Sequence, residues 1–177
     1  MLTMDKKEIT TKSEIIFDGK VVHLRKDEVL CPNGNTSIRE IVDHIGGVGV
    51  LFIKDNKILL IKQYRYAYDE ILYEIPAGKR EKGEEAYITG KRELLEETGY
   101  EAKEMIYLGQ IYPTCGYSNE IIHLYLVKEA TLKETHFDED ENIDSSFYSI
   151  EEIKKMIKEG TIKDAKTICA LYYYLSL

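Results

Sequence analysis

Apolar positions fall in short β-rich runs through much of the chain and change to helical spacing in three stretches. Residues 48–53 and 58–61 are rich in valine, isoleucine and leucine. Lys54-Asp55-Asn56-Lys57 separates them, and the pattern predicts two strands joined by a hairpin. Further strands are predicted over 105–112 and 121–127. Residues 84–98 hold good helix formers and no proline, with Gly99 placed as a C-terminal cap. An amphipathic helix is predicted over 150–159, stopped by Gly160, and Asp164 is placed to cap a last helix over 165–175. Nearer the start, Val21, Val22, Leu24, Val29 and Leu30 precede Cys31-Pro32-Asn33-Gly34, and Ile38, Ile41 and Val42 follow it. Asn-Gly supplies the positive φ angles of a tight turn, so residues 1–45 read as a small β unit. Its apolar faces are too small for an independent core, so it is expected to pack on another surface. No repeat or long linker interrupts the chain, and interleaved strands and helices give an α/β (or α+β) class.

Composition narrows the function. With 177 residues and 44% hydrophobic positions, one domain, or a domain with an appendage, can bury a sizeable core. Twenty-four Lys and Arg against 32 Asp and Glu leave a net charge of −8, which repels a phosphate backbone and argues against nucleic-acid binding. A small phosphorylated substrate stays open if metal ions supply local positive charge. No apolar run approaches the ~18–20 residues of a membrane helix, and the first ten residues lack the apolar core of a signal peptide. Cys31, Cys115 and Cys169 are far apart and never form a CxxC pair, so neither a disulfide framework nor a zinc site is expected. A cytoplasmic protein without membrane partners is the expectation. His23, His44, His123 and His136 lack ligand spacing and read as structural.

The chemistry concentrates in one stretch. Gly78-Lys79-Arg80-Glu81-Lys82-Gly83-Glu84 is followed, after seven residues, by Arg92-Glu93-Leu94-Leu95-Glu96-Glu97-Thr98-Gly99. On a helix Glu93, Glu96 and Glu97 share a face. Three adjacent carboxylates repel, and such a cluster of hard oxygens is what Mg²⁺ or Mn²⁺ takes. A Glu-rich helix face is also a common solvated surface. The glycine-rich loop and the fixed spacing across it favour the metal. Gly90, on a different stripe, costs the helix about 1 kcal/mol against alanine, which suggests close packing on a sheet.

The same stretch resembles the Nudix signature, in which a glycine, a glutamate and an Arg-Glu…Glu-Glu…Gly run stand at fixed intervals. Gly78, Glu84, Arg92, Glu93, Leu94, Glu96, Glu97 and Gly99 match it, and Tyr100 is aromatic where an aliphatic is usual. Gln63-Tyr64-Arg65-Tyr66, Glu74-Ile75-Pro76-Ala77-Gly78, Gly116 to Glu120, Asp138 to Glu141, and Gly160 to Thr167 look like the ADP-ribose pyrophosphatase branch of that family. Cys115 departs from the proline common there.

The resemblance implies an α/β/α sandwich carrying a small N-terminal antiparallel sheet, with 46–177 as the Nudix domain. It implies hydrolysis of the diphosphate of ADP-ribose or a related ADP-sugar to AMP and a sugar phosphate. Glu93, Glu96, Glu97, Glu141 and the carbonyl of Ala77 would hold two or three Mg²⁺ (or Mn²⁺) ions. Arg92 would orient the carboxylates, Glu84 would brace the loop, and Glu139 would serve as base. Arg65, Arg39 and Glu70 would contact substrate. A homodimer with a swapped N-terminal unit, its pocket built from both chains, is also implied. Another nucleoside diphosphate sugar, an oxidised nucleotide, or a non-catalytic nucleotide-sensing module are the alternatives. The retained box carboxylates speak against the last.

Overall fold

The computed structural model describes residues 6–133 and 144–177, and the chain divides into two compact units. The smaller unit comprises Met1–His44 with Thr114–Glu120. Its strands β1 (Ile9–Asp18), β2 (His23–Leu30) and β3 (Thr36–Asp43) form an antiparallel sheet with β2 central. The turn from β2 to β3 is the one that Asn33-Gly34 predicts, with Gly34 at φ 85° donating its N–H to Cys31 at 2.9 Å. Strand β1 has no counterpart in the sequence reading. All ten of its residues are exposed, so no buried face imposes an alternation that could be read.

Polar links hold the returning segment to this sheet. Asp27, buried in β2, accepts from Ser13 at 2.6 Å and pairs with Arg25. Arg25 also donates to Asp43 at 2.8 Å, and Asp43 accepts from Asn119 at 2.8 Å. Val42 N–H donates to the Tyr117 carbonyl at 2.7 Å, and Val42 and Ser118 form a parallel bridge.

The larger unit, Ile45–Pro113 with Ile121–Leu177, supplies the rest. Its elements are β4 (Gly47–Lys54), β5 (Lys57–Arg65), β6 (Glu70–Glu74), β7 (Ala77–Lys79), α1 (Ala86–Thr98), β8 (Tyr100–Ala102), β9 (Ile106–Ile111), β10 (Ile122–Val127), β11 (Ala130–Leu132), β12 (Asp144–Ser149), α2 (Ile150–Lys158) and α3 (Ala165–Leu175). Seven strands form one mixed sheet, ordered β12-β5-β4-β10-β9, with β6 on β5 and β7 on β4. Among the described residues of this sheet only β10 and β4 pair in parallel.

Strand β4 reads as a continuous apolar run because both its faces are covered. Val48, Val50 and Phe52 pack with Leu94 and Ala86 of α1 on one side. Leu51 packs with Ile153 of α2 and with Ala170 and Leu171 of α3 on the other. This is the expected α/β/α layering. The 54–57 turn places Asp55 and Asn56 at φ 51° and 59°, the positive angles a two-residue hairpin requires.

Helix α1 starts at Ala86 rather than at 84, because the Glu84 side chain is used outside the helix. It ends as expected, with Gly99 at φ 72° donating to Leu95 at 2.8 Å. Helix α3 is capped by Asp164, which accepts from Thr167 N–H. A capping box of Ser149 and Glu152 opens α2.

Gly90 presses α1 onto β4. A Cβ there would lie 3.0 Å from Val48 Cγ1, 3.0 Å from Met105 Cε and 3.3 Å from Val50 Cγ2. The valines belong to the most buried strand and have nowhere to move. Gly90→Val is therefore expected to lower stability by roughly 1–3 kcal/mol through overpacking, read as a lower urea midpoint with an unchanged slope.

Candidate active site

Between Glu74 and Ala77 the chain leaves β5 and joins β4. Glu74 is the last residue paired with β5, opposite Ile61, and Ala77 the first paired with β4, opposite Gly49. Pro76 has no N–H, and its carbonyl accepts from Val50 N–H at 2.8 Å. Ala77 N–H donates to Glu97 Oε2 at 2.9 Å, so a buried carboxylate of α1 is fixed on the β7 backbone. At Gly78 a Cβ would stand 1.9 Å from Glu93 Cδ. Only glycine lets that carboxylate lie against the strand.

Arg92 gathers the remaining carboxylates. Its Nη1 donates to Glu93 Oε1 and Glu96 Oε2, both at 2.8 Å. Its Nε donates to Glu84 Oε1 at 3.1 Å, and its Nη2 to Glu84 Oε2 and the Lys79 carbonyl, both at 3.2 Å. One cation thus faces three anions. Glu84 also accepts from Glu81 N–H at 2.9 Å and from the Thr89 hydroxyl at 2.8 Å. Arg80 closes the loop by donating to the Glu84 carbonyl at 3.0 and 2.6 Å. Arg92, then the Glu81 N–H, hold the Glu84 carboxyl down at about 2, and Glu84 above all keeps Arg92 more firmly protonated than usual.

The structure therefore brings Glu84, Arg92, Glu93 and Glu96 together, with Glu97 beside Ala77. Among the described residues no three His, Cys, Asp or Glu side chains converge as a ligand set. Arg92 instead bridges Glu93 and Glu96. The donors nonetheless fit a hard divalent ion: they are all oxygens, in excess of the local positive charge, with Glu97 hydrogen-bonded to the β7 backbone and Glu93 lying against it.

The residues expected at the substrate each have a protein partner. Arg65 makes a two-point pair with buried Glu74, 2.7 Å for both Nε and Nη2. Glu70 pairs with Lys163 at 2.8 Å. Arg39, in the smaller unit, donates to Glu8 at 2.9 Å from Nε. Glu139 and Glu141 lie outside the described residues. Sequence reasoning missed Thr89 and Arg80, which grip Glu84. The available signal for Thr89 was a hydroxyl on the stripe that continues through Arg92, Glu93 and Glu96.

The NUDIX domain family matches residues 43–171, and the chain belongs to that family. It is 47% identical over 169 residues to a protein of Bacillus methanolicus named methanol dehydrogenase activator, spanning 94% of this chain and 91% of that one. It is 42% identical, with the same coverage, to the ADP-ribose pyrophosphatase of Bacillus subtilis (strain 168). The ADP-ribose pyrophosphatase of Mycobacterium tuberculosis is 32% identical over 92% of this chain and 80% of its own. A solved ADP compounds hydrolase shares the fold at TM-score 0.87 and 16% identity, covering 99% of this chain and 96% of that one.

Glu84 titrates from 4.5 when unperturbed to about 2 in the folded protein. A depressed carboxyl stabilises the fold above its unfolded pKa, and this stabilisation is lost as pH falls through the folded one. The parent is thus expected to exceed Glu84→Gln in melting temperature at pH 6. That gap is expected to close between pH 4.5 and about 2, as measured by thermal unfolding of both proteins across that range.

Proposed function

We propose that the protein is a metal-dependent Nudix diphosphatase that hydrolyses ADP-ribose, or a related ADP-sugar, to AMP and a sugar phosphate. The observation that carries this reading is the set of α1 carboxylates gathered beside the β7 backbone, in a chain 42% identical to an ADP-ribose pyrophosphatase.

Glu93, Glu96 and Glu97, with the Ala77 carbonyl and Glu141, are the residues that would hold two or three Mg²⁺ or Mn²⁺ ions. Such ions, when bound, draw charge from a diphosphate and acidify a water. Arg92 fixes the Glu93 and Glu96 rotamers and balances part of their charge. Glu84 braces the loop against α1 through Arg92 and Thr89. Glu139 accepts the proton of the attacking water in this reading. Arg65 is assigned a phosphate contact; with Nε and Nη2 on Glu74, its Nη1 edge is the one available to the ligand. Arg39 and Glu70 are assigned to the nucleoside side, where each would have to exchange its present partner, Glu8 or Lys163.

The reading includes a cytoplasmic homodimer in which the unit of residues 1–45 is swapped toward the partner's site. Exposed Ile9, Ile15, Ile16 and Phe17 on β1 support a covered sheet, and a two-fold pair is the commonest closed arrangement. No helix of the described residues is long and apolar enough to cross a membrane. A second reading comes from the relative named as a dehydrogenase activator: the chain acts on another enzyme rather than on a free metabolite. That reading requires a dehydrogenase rate that rises when this protein is added.

Excess EDTA is expected to abolish turnover of ADP-ribose, and Glu97→Gln to lower kcat at least ~100-fold while the fold persists. Release of AMP is the assay, run beside GDP-mannose, diadenosine compounds and 8-oxo-dGTP. Full activity in chelator would remove the metal from the mechanism. Light scattering is expected to give a dimer for the full chain and a shift toward monomer for Ile15→Lys, whose side chain is open on β1. A parent that stays monomeric at micromolar concentration while active would remove the shared site.

A further inference from the structure

Three side chains between α2 and the first turn of α3, Lys163, Lys166 and Thr167, bond to β6 and to the segment that crosses from β5 to β4. Lys163 Nζ donates to both oxygens of Glu70, at 2.9 and 2.8 Å, at the start of β6. Lys166 donates to buried Glu74 at its end, and to Asp164 at 2.9 Å. The Thr167 hydroxyl accepts from Ile75 N–H at 2.8 Å and donates to Asp164 Oδ2 at 2.5 Å. Asp164 is itself fixed as the α3 cap by Thr167 N–H at 2.9 Å. Ile162 is buried beneath, in the cluster that holds Ile75 and Leu51.

Ile75 stands between the last residue paired with β5 and Pro76, which has no N–H. Its own N–H is buried at the crossing and is satisfied by a side chain of α3. Burial pulls the Glu74 carboxyl up, but Arg65 and Lys166 outweigh it and keep it ionised. Two residues further on, Ala77 takes its place against Glu97. A shift of the crossing would therefore move the Ala77 backbone relative to the α1 carboxylates.

We propose that Thr167, backed by Asp164 and Lys166, is a positioning residue. It sets the path of residues 74–77 and thereby the spacing between the Ala77 carbonyl and the Glu93 and Glu97 carboxylates. This rests on the metal site of the proposed function, though not on the identity of the nucleotide. The group touches neither ion nor substrate. It acts through the backbone of Ile75.

The test uses the full-length protein and Mn²⁺ alone, with free ion followed by electron paramagnetic resonance, beside ADP-ribose kinetics. Thr167→Val, which keeps the shape and loses the acceptor, is expected to weaken Mn²⁺ binding at least threefold. It is also expected to lower kcat at least tenfold, with KM changed less than twofold. Thr167→Ser restores the hydroxyl and is expected to recover both. Ser149→Ala, which removes the α2 cap far along the sequence, lowers stability and is expected to leave both unchanged. Parent-like Mn²⁺ affinity in Thr167→Val, or equal impairment in Thr167→Ser, would overturn the proposal. Should Thr167→Val not fold, Lys166→Met makes the comparison, and parent-like Mn²⁺ affinity and kcat in it would overturn the proposal equally. A parent that binds Mn²⁺ but leaves ADP-ribose intact defeats only the substrate assignment. A parent that binds no Mn²⁺ defeats both.

Discussion

Two positions without a Cβ set how closely helix α1 approaches the sheet. On β7 the position is Gly78, whose missing side chain is the space filled by the Glu93 carboxylate. On the helix it is Gly90, pressed on Val48 and Val50. The two contacts fix the helix at two points about one turn apart, and the other features of the site follow from its seating. Arg92 then stands over the loop, Glu97 reaches the Ala77 N–H, and Leu94 enters the core. The weak intrinsic helix propensity of a central glycine is the cost of that proximity.

Charge is arranged around a deficit. Arg92 is shared among Glu84, Glu93 and Glu96, so the cluster keeps net negative charge even with every hydrogen bond made. Glu84 takes Arg92, the Glu81 N–H and the Thr89 hydroxyl, which suits a bracing role better than a chemical one. A carboxyl held so far below neutral pH neither gives nor takes protons there. Glu74 shows a different solution, a buried carboxylate compensated by both Arg65 and Lys166. The first group is left able to attract a cation, and the second is already satisfied.

Much of the larger unit was legible because its central strands β4 and β5 are buried runs and its helices end at glycines or begin at caps. Runs 48–53 and 58–61, Gly99 and Asp164 all behave as their chemistry predicts. What escaped the sequence has physical reasons. Strand β1 is exposed throughout and shows no period. Strands β6 and β7 are short pieces on either side of Pro76, defined by which neighbour they pair with rather than by their own residues. The bracing roles of Glu84 and Arg92 came from the resemblance to the Nudix signature, and their contacts agree with it. The partners of Glu70 and Arg39 could not be anticipated, because Lys163 and Glu8 lie 93 and 31 residues away and only the tertiary path brings them together. Arg65 meets Glu74, nine residues on, within the β5–β6 pair.

Residues 114–120 belong to the smaller unit although they lie between β9 and β10 in the chain. During synthesis the three N-terminal strands leave the ribosome long before Tyr117 and Asn119 exist. Until then the Val42 N–H lacks the Tyr117 carbonyl, and the Asp43 carboxylate has Arg25 but not Asn119. The three-stranded sheet, made before the larger unit, is thus completed only after most of β4 to β9 has been made. A nascent chain halted before residue 114 would carry a sheet with an open edge at β3, the kind of surface that other chains can pair with.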